Sequence, residues 1–328
     1  MTIKKRPILI SGAKPTGRVH LGNYFGAIKQ VIDLKDRFDS TFFIADYHAL
    51  TGIKDAEEFS GNVRDLTLDC LGAGVDPQSM CLYRQSDLPE VTELCWFFNC
   101  LMNVSYLMRA HAYKDAQAKG EEVNAGTFDY PILMAADILI HKTEVVPVGE
   151  DQRQHIEYAR DIAVKFNSVF GETFPVPEEM ILESVGTLPG IDGRKMSKSY
   201  GNTIPLFIDR GEIEKVVMKI PTDSKGVDEP KDPDSCSIFR LFSLVADGKD
   251  VKALRERYLK GGVGYKEAKD TLIEGLDSYT KPLRERRRYY EESPSEVKRI
   301  LEEGAEKASL RARSTLQEAR EAVGIVSV

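Results

Sequence analysis

An alternation that fills the first two-thirds of this chain and then stops is what most limits its fold. Continuous apolar runs of strand length, "PILIS" (Pro7 to Ser11) and "TFFIAD" (Thr41 to Asp46), are separated by stretches with helical spacing. A run that is apolar at every position suits a strand covered on both faces. "CLYRQ" (Cys81 to Gln85) and "EVVPV" (Glu144 to Val148) predict two further strands. Apolar residues at 25, 28, 31, 32, 34 and 38 predict a helix over 24–38, and similar periodicity predicts helices over 56–72 and 152–170. Strand, helix, strand, helix in this order implies an α/β fold with a Rossmann-like parallel sheet and helices on both of its faces. Ligands of such sheets bind beyond the carboxyl ends of the strands.

After about Ile204 the strand signals fade. Helices are expected over 212–219, 237–246, 251–259, 266–291 and 295–323, broken by "GGVG" at 261–264 and by Pro294. We therefore expect two domains, a nucleotide-binding one over 1–205 and an all-helical one over 206–328. The hydrophobic content of 42% and charged content of 30% are those of a globular protein and exclude disordered and fibrous classes. The net charge of −7 lies wholly in the first part, with 21 Lys and Arg against 28 Asp and Glu up to Pro205 and 24 against 24 beyond it. The neutral remainder holds a basic cluster, "RERRR" (Arg284 to Arg288), followed by Tyr289 and Tyr290. Such a cluster is either a solvated helix face or a source of phosphate contacts and base stacking for RNA. Five cysteines without C-x-x-C spacing favour reduced thiols over a disulfide framework or structural metal. No apolar run approaches the ~18 residues of a spanning helix, and the N-terminal apolar stretch is too short for a secretory signal. The expectation is a cytoplasmic protein with no membrane contact.

Two glycine-flanked segments carry chemistry. "KPTGRVHLGN" (Lys14 to Asn23) follows the first strand, where glycines let a ligand lie against the backbone and the next helix offers free N–H groups to an anion. His20 in that bend either donates an N–H to a phosphate or merely caps the helix. It is not a Walker loop, nor the G-x-G-x-x-G of dinucleotide binders. "GIDGRKMSKSYGN" (Gly190 to Asn202) sets Lys195 and Lys198 between glycines with serines interleaved. Two ammonium groups on such a loop suit a charge that grows during reaction, such as departing pyrophosphate. The plainer reading is a solvated lysine loop.

Together, H-L-G-N and K-M-S-K-S resemble the two signature sequences of class I aminoacyl-tRNA synthetases. The first is usually H-x-G-H; Asn23 in the last place is common in the tyrosine and tryptophan branch, and its amide donates without a titrating charge. The resemblance implies catalytic roles for His20, Asn23, Lys114, Lys195 and Lys198. Lys114 enters because Arg109 and Lys114 keep the family's R-x-x-x-x-K spacing. It implies ATP contacts from Lys14, Pro15, Thr16, Gly22 and Asn23, from Gly149, Glu150 and Asp151 at the ribose, and from Leu188, Lys195, Met196, Ser197, Lys198 and Ser199. Lys14 stands where the family normally has glutamine, which adds charge near the triphosphate.

"TFDYPILMAADILIHKTEVVPVGEDQRQH" (Thr127 to His155) bears on the amino acid. Tyr130, Met134 and Asp137 fall at i, i+4 and i+7, on one helical face. A carboxylate there is a poor core residue unless paired, but it suits an aromatic ligand with one N–H. Asp137 could accept from an indole, which only donates, while Met134 packs the ring. Tyrosyl enzymes resemble Y-x-x-x-Q-x-x-D, and Met134 replaces the glutamine that serves a phenol. The stretch thus resembles bacterial tryptophanyl-tRNA synthetases. That family implies His48 near the amino-acid pocket and Gln152 at the substrate ammonium. It also implies Mg-ATP, L-tryptophan and tRNA(Trp) as substrates, a homodimer, and an anticodon-reading helical domain. Only Cys236 lies beyond residue 100, so no iron–sulfur cluster is expected there. The alternatives are a tyrosyl enzyme, a nucleotidyltransferase, and a non-catalytic synthetase-like paralogue with a regulatory or RNA-binding role.

Overall fold

A computed structural model of the chain describes residues 6–110, 113, 114, 120, 123–149, 153–181 and 188–325. The described strands are β1 (Ile8–Ala13), β2 (Asp39–Ile44), β3 (Cys81–Arg84), β4 (Val145–Val148) and β5 (Glu178–Ile181). They form one parallel sheet in the order β3-β2-β1-β4-β5. The four strands expected from apolar runs are all present. β5 was not, because "EEMI" is half polar: it lies at the edge of the sheet and is only partly covered.

The helices, in chain order, begin with α1 (Leu21–Asn23), a π-helical turn (Tyr24–Ile28) and α2 (Lys29–Asp33). α3 (Asp46–Ala49), α4 (Ala56–Ala73), α5 (Glu90–Leu101), α6 (Val104–Leu107), α7 (Ala125–Leu139) and α8 (Arg153–Phe170) follow. After the sheet come α9 (Arg210–Val217), α10 (Ser237–Val245), α11 (Gly248–Lys260), α12 (Tyr265–Glu291) and α13 (Pro294–Val323). The helix expected over 24–38 starts earlier, at Leu21, and changes pitch at once. The Gln30 amide donates to the Phe25 and Gly26 carbonyls, occupying groups that the widened turn presents (3.0 and 3.2 Å).

Side-chain alternation along the strands divides the interior into two cores. Leu9, Phe42, Ile44 and Leu82 face one side with α4 and much of the later helical region, including Ile213, Phe239, Leu272 and Leu283. Ile10, Phe43, Tyr83 and Val146 face the other with α5, α7, α8 and the middle of α13. Both faces are covered, which explains why the central strands read as unbroken apolar runs.

The order of strands reverses between β1 and β4, and there the two strands pair only at Leu9↔Val145, near their beginnings. Beyond that point their carboxyl ends are free to part. A crevice at such a reversal is where open α/β sheets bind ligands.

Candidate active site

A cavity of about 580 Å³ opens in this crevice. Ser11, Gly12 and Lys14 line it from the end of β1, Val146 to Gly149 from the end of β4, and His48 from α3. Helix α7 contributes Tyr130, Met134 and Asp137, so the three residues spaced for one helical face do share one wall. Most of the rest of the lining is apolar, with Ile10, Phe43, Ile138 and Ile156 among it.

Asp137 is fully buried. An isolated carboxylate there would cost several kcal/mol, on the order of the penalty for any buried ion. Two partners offset this: His48 Nε2 lies 3.0 Å from Oδ2, and the Gln85 amide donates to both oxygens at 2.8 Å. Burial raises the Asp137 carboxyl above its ordinary pKa, while the bonds from His48 and Gln85 pull it back. The His48 ring also meets the Tyr130 ring edge-on, with centroids 6.1 Å apart. Burial pushes the Tyr130 hydroxyl up to about 12, so it stays a neutral phenol.

Gln85 was missed in the sequence because it read only as the end of a strand. It is wholly buried at the carboxyl end of β3, and its side-chain Oε1 accepts from the His48 backbone N–H (3.4 Å). A glutamine closing a buried strand at the ligand-binding edge was the available signal. Nearby, Asp46 accepts from the Ser86 N–H and hydroxyl (2.9 and 2.5 Å), tying the end of β2 to the segment after β3 and fixing the short helix α3 that carries His48.

The bend after β1 answers both readings of His20. The imidazole does cap α1, since its Nδ1 accepts from the Asn23 backbone N–H (3.3 Å) while the Asn23 side-chain Oδ1 accepts from the His20 backbone N–H (3.4 Å). That bond places the ring proton on Nε2 and leaves Nε2–H as the donor. Burial first, then the nearby Lys198 charge, lower the His20 pKa to about 4, so the ring is neutral at physiological pH. Capping and donation are therefore compatible.

The lysine loop reaches the bend directly. Lys198 Nζ donates to the carbonyls of Thr16 (3.1 Å) and Gly17 (2.9 Å). Buried Met196 packs against Gly22, where an added Cβ would lie 3.6 Å from the Met196 Cβ. Pro15 is buried under this contact region, and Thr16 is exposed. Lys195 and Ser199 are exposed, and Leu188 is buried with its carbonyl accepting from Met196 N–H (2.8 Å). Asn202 holds the loop in shape. It is buried, accepts from Ser197 N–H (2.8 Å), and donates to the Lys195 carbonyl (3.0 Å) and to Asp192 (2.7 Å). Lys14 reaches the other way, donating to Thr51 Oγ1 (3.0 Å), which donates to the His48 carbonyl (2.8 Å). Burial lowers the pKa of both Lys14 and Lys198. Both side chains nevertheless remain exposed and open to an anion.

The sequence profile of tRNA synthetases class I (W and Y) matches residues 2–281. The chain belongs to that family. A tryptophan–tRNA ligase of Fusobacterium nucleatum is 44% identical to this class I synthetase, over 97% of this chain and 98% of its own length. One of Rhodopirellula baltica is 45% identical over 97% and 99%. Among solved structures, Campylobacter jejuni tryptophanyl-tRNA synthetase complexed with ADP and tryptophan superposes with a TM-score of 0.90 at 44% identity, covering 96% of this chain and 99% of that one.

Not every residue expected at the synthetase site is gathered there. Lys114 is described and exposed, its N–H bonded to the Ala110 carbonyl (3.1 Å), but it does not line the cavity. Arg109 stacks on Tyr106, 5.1 Å from the ring centre. Gly149 lines the cavity, whereas Glu150, Asp151 and Gln152 lie outside the described residues. The basic cluster is divided between inward and outward side chains. Arg284 bonds to Asp277 and Thr280, Arg286 to the Gly72 carbonyl, and buried Arg287 to three carboxylates. Arg284 and Arg287 are thus engaged within the protein, while Arg286, Arg288 and Tyr289 remain exposed on the outer side of α12.

Proposed function

We propose that this synthetase activates L-tryptophan with Mg-ATP and transfers it to tRNA(Trp). The observation that carries this reading is the Asp137 carboxylate, held by His48 and Gln85 in a wall otherwise largely apolar. A carboxylate oxygen has more than one acceptor site, so occupied oxygens can still take one N–H from an indole. Met134 one turn away offers sulfur to the ring rather than a partner for a phenol. The strong similarity to tryptophan–tRNA ligases supports the same choice.

In this reading a tryptophan carboxylate oxygen attacks the α-phosphorus of Mg-ATP as the bond to the β-phosphate oxygen breaks, releasing pyrophosphate. A hydroxyl of the terminal adenosine of tRNA then attacks the carbonyl carbon and AMP departs. No protein nucleophile is required; catalysis is positioning and charge stabilisation. Neutral His20 donates Nε2–H to a phosphate oxygen beside Asn23 and Gly22. Lys198 uses two of its three N–H groups on the bend and keeps one for phosphate. Lys195 and Lys14 add charge, Pro15 and Thr16 shape the bend, and Leu188, Met196, Ser197 and Ser199 frame the nucleotide. Tyr130 and His48 flank the amino acid. Lys114 at the pyrophosphate, Gly149, Glu150 and Asp151 at the ribose, and Gln152 at the substrate ammonium complete the assignment on sequence grounds.

The division at 205/206, a cytoplasmic site of action and anticodon reading by the helical part belong to the same reading. So does a homodimer: Trp96 on α5, Val104 and Met108 in and just after α6, and Val164 and Val169 on α8 are exposed apolar side chains that a second copy would cover.

Amino-acid-dependent exchange of labelled pyrophosphate into ATP, run in parallel with tryptophan and tyrosine, tests the assignment. Exchange with tryptophan alone is expected, and Lys195→Ala should slow it by about 10²–10³-fold with tryptophan affinity little changed. Exchange with tyrosine alone would overturn the amino-acid identity. No exchange with either would favour the non-catalytic paralogue.

A further inference from the structure

Asp69 is the most completely enclosed charge outside the cavity. It lies in the last turns of α4, where the helix dipole disfavours an anion, and none of its surface reaches solvent. Its partners come from two distant segments. Oδ2 accepts from the Val19 N–H (2.9 Å) and from Arg18 Nε (3.3 Å), both in the bend. Oδ1 accepts from Arg287 Nε (2.7 Å) on α12.

Val19 directly precedes His20, so the Asp69 carboxylate fixes the backbone that aims the imidazole. The opposite side of this strand-like stretch is held by Leu206 N–H on the Val19 carbonyl (3.0 Å) and Leu21 N–H on the Ile204 carbonyl (2.9 Å). Arg287 is itself buried and clamped. It also bonds Glu291 (2.9 Å) and Asp65 (3.3 Å), and its guanidinium lies 5.7 Å from the Phe207 ring centre. At Gly72 the two helices approach so closely that a Cβ would stand 2.6 Å from the Arg287 Cβ. A displacement of α12 along α4 must therefore disturb Arg287, then Asp69, then the Val19 N–H, which has no water to turn to.

We propose that Asp69 and Arg287 are positioning residues for the ATP bend, through which the helical half of the chain sets nucleotide affinity without touching nucleotide. This rests on the reading that the bend takes ATP. The buried member of the basic cluster, Arg287, thereby ties the helical part to the phosphate site.

The test is calorimetric titration of the full-length protein with ATP alone and with tryptophan alone, using Arg287→Met, Arg287→Lys, Asp69→Asn and the double variant Asp69→Asn/Arg287→Met. The single changes Arg287→Met and Asp69→Asn should weaken ATP by about tenfold, the scale of coupling through an intervening residue, and leave tryptophan within about twofold. Arg287→Lys should fall between, because one ammonium can meet Asp69 but not three carboxylates in a fork. The double variant should be no weaker than the worse single, since both break one contact. Unchanged ATP affinity, additive losses, or equal weakening of ATP and tryptophan would overturn the proposal. Should Arg287→Met fail to fold, unchanged ATP affinity in Arg287→Lys does so instead. If the unaltered protein binds tryptophan but no ATP, the nucleotide reading of the bend fails, and this proposal falls with it.

Discussion

His20 shows how one side chain can cap a helix and still present a free ring N–H. Its Nδ1 is spent on the helix cap and its Nε2–H is left to donate, which a protonated ring could not do in the same geometry. The pH consequence has a definite sign. In the unfolded chain the imidazole titrates near its ordinary 6.5, whereas in the folded protein it takes a proton only near 4. Between those values the unfolded state binds more protons, so stability falls as pH drops from about 6.5 to about 4. An NMR titration of the His20 ring is expected to show a midpoint near 4, and His20→Gln should reduce the slope of unfolding free energy over that window by up to one proton. A midpoint near 6.5 would mean the ring is solvated and not committed to the cap. Asp137 is the complementary case: its helical spacing was legible in the sequence, yet its pairing with Gln85 and His48 was not. Those partners stand on different strands and loops, and no local pattern connects them.

At the scale of elements, the periodic helices after Ile204 were legible almost to their ends, because Gly264, Pro294 and Gly324 mark boundaries through backbone chemistry. Their placement was not. α13 returns to cross β3, the free edge of the sheet, and at Gly304 an added Cβ would sit 1.8 Å from the Leu82 carbonyl oxygen. The Cys81 thiol donates to the Gly304 carbonyl (3.2 Å) at the same crossing. Covering an edge strand in this way blocks its pairing with another chain. Helix propensity alone would have Gly304→Ala stabilise the protein by about 1 kcal/mol. Collision with strand backbone should reverse that and destabilise by about 1–3 kcal/mol. Urea unfolding decides between them, and a higher midpoint for the variant would refute the close crossing.

Over the whole molecule, the sheet divides two cores, and the first of them runs from the strands into the later helices without interruption. The bend that carries His20 therefore sits between a sheet and a helical mass that share one interior, which gives the Asp69–Arg287 link its mechanical basis. Helices α5, α6 and α8 leave Trp96, Val104, Val164 and Val169 exposed. If a second copy covers them, Trp96→Glu should shift sedimentation from dimer to monomer at micromolar concentration, because a charge placed in a desolvated interface must give up its hydration. An unaltered sedimentation coefficient would place the interface elsewhere.

What the sequence determined by itself was whatever depends on near neighbours: the strand runs, the helical periods, the bend with His20, the lysine loop and the shared face of Tyr130, Met134 and Asp137. Each follows from backbone geometry repeated over a few residues. Only the tertiary structure decided that Lys198 rests on the carbonyls of Thr16 and Gly17, that Gln85 holds Asp137, and that Arg287 turns inward to Asp69. Those contacts join residues far apart in the chain, and their worth comes from burial, which is a property of the folded interior and not of any segment.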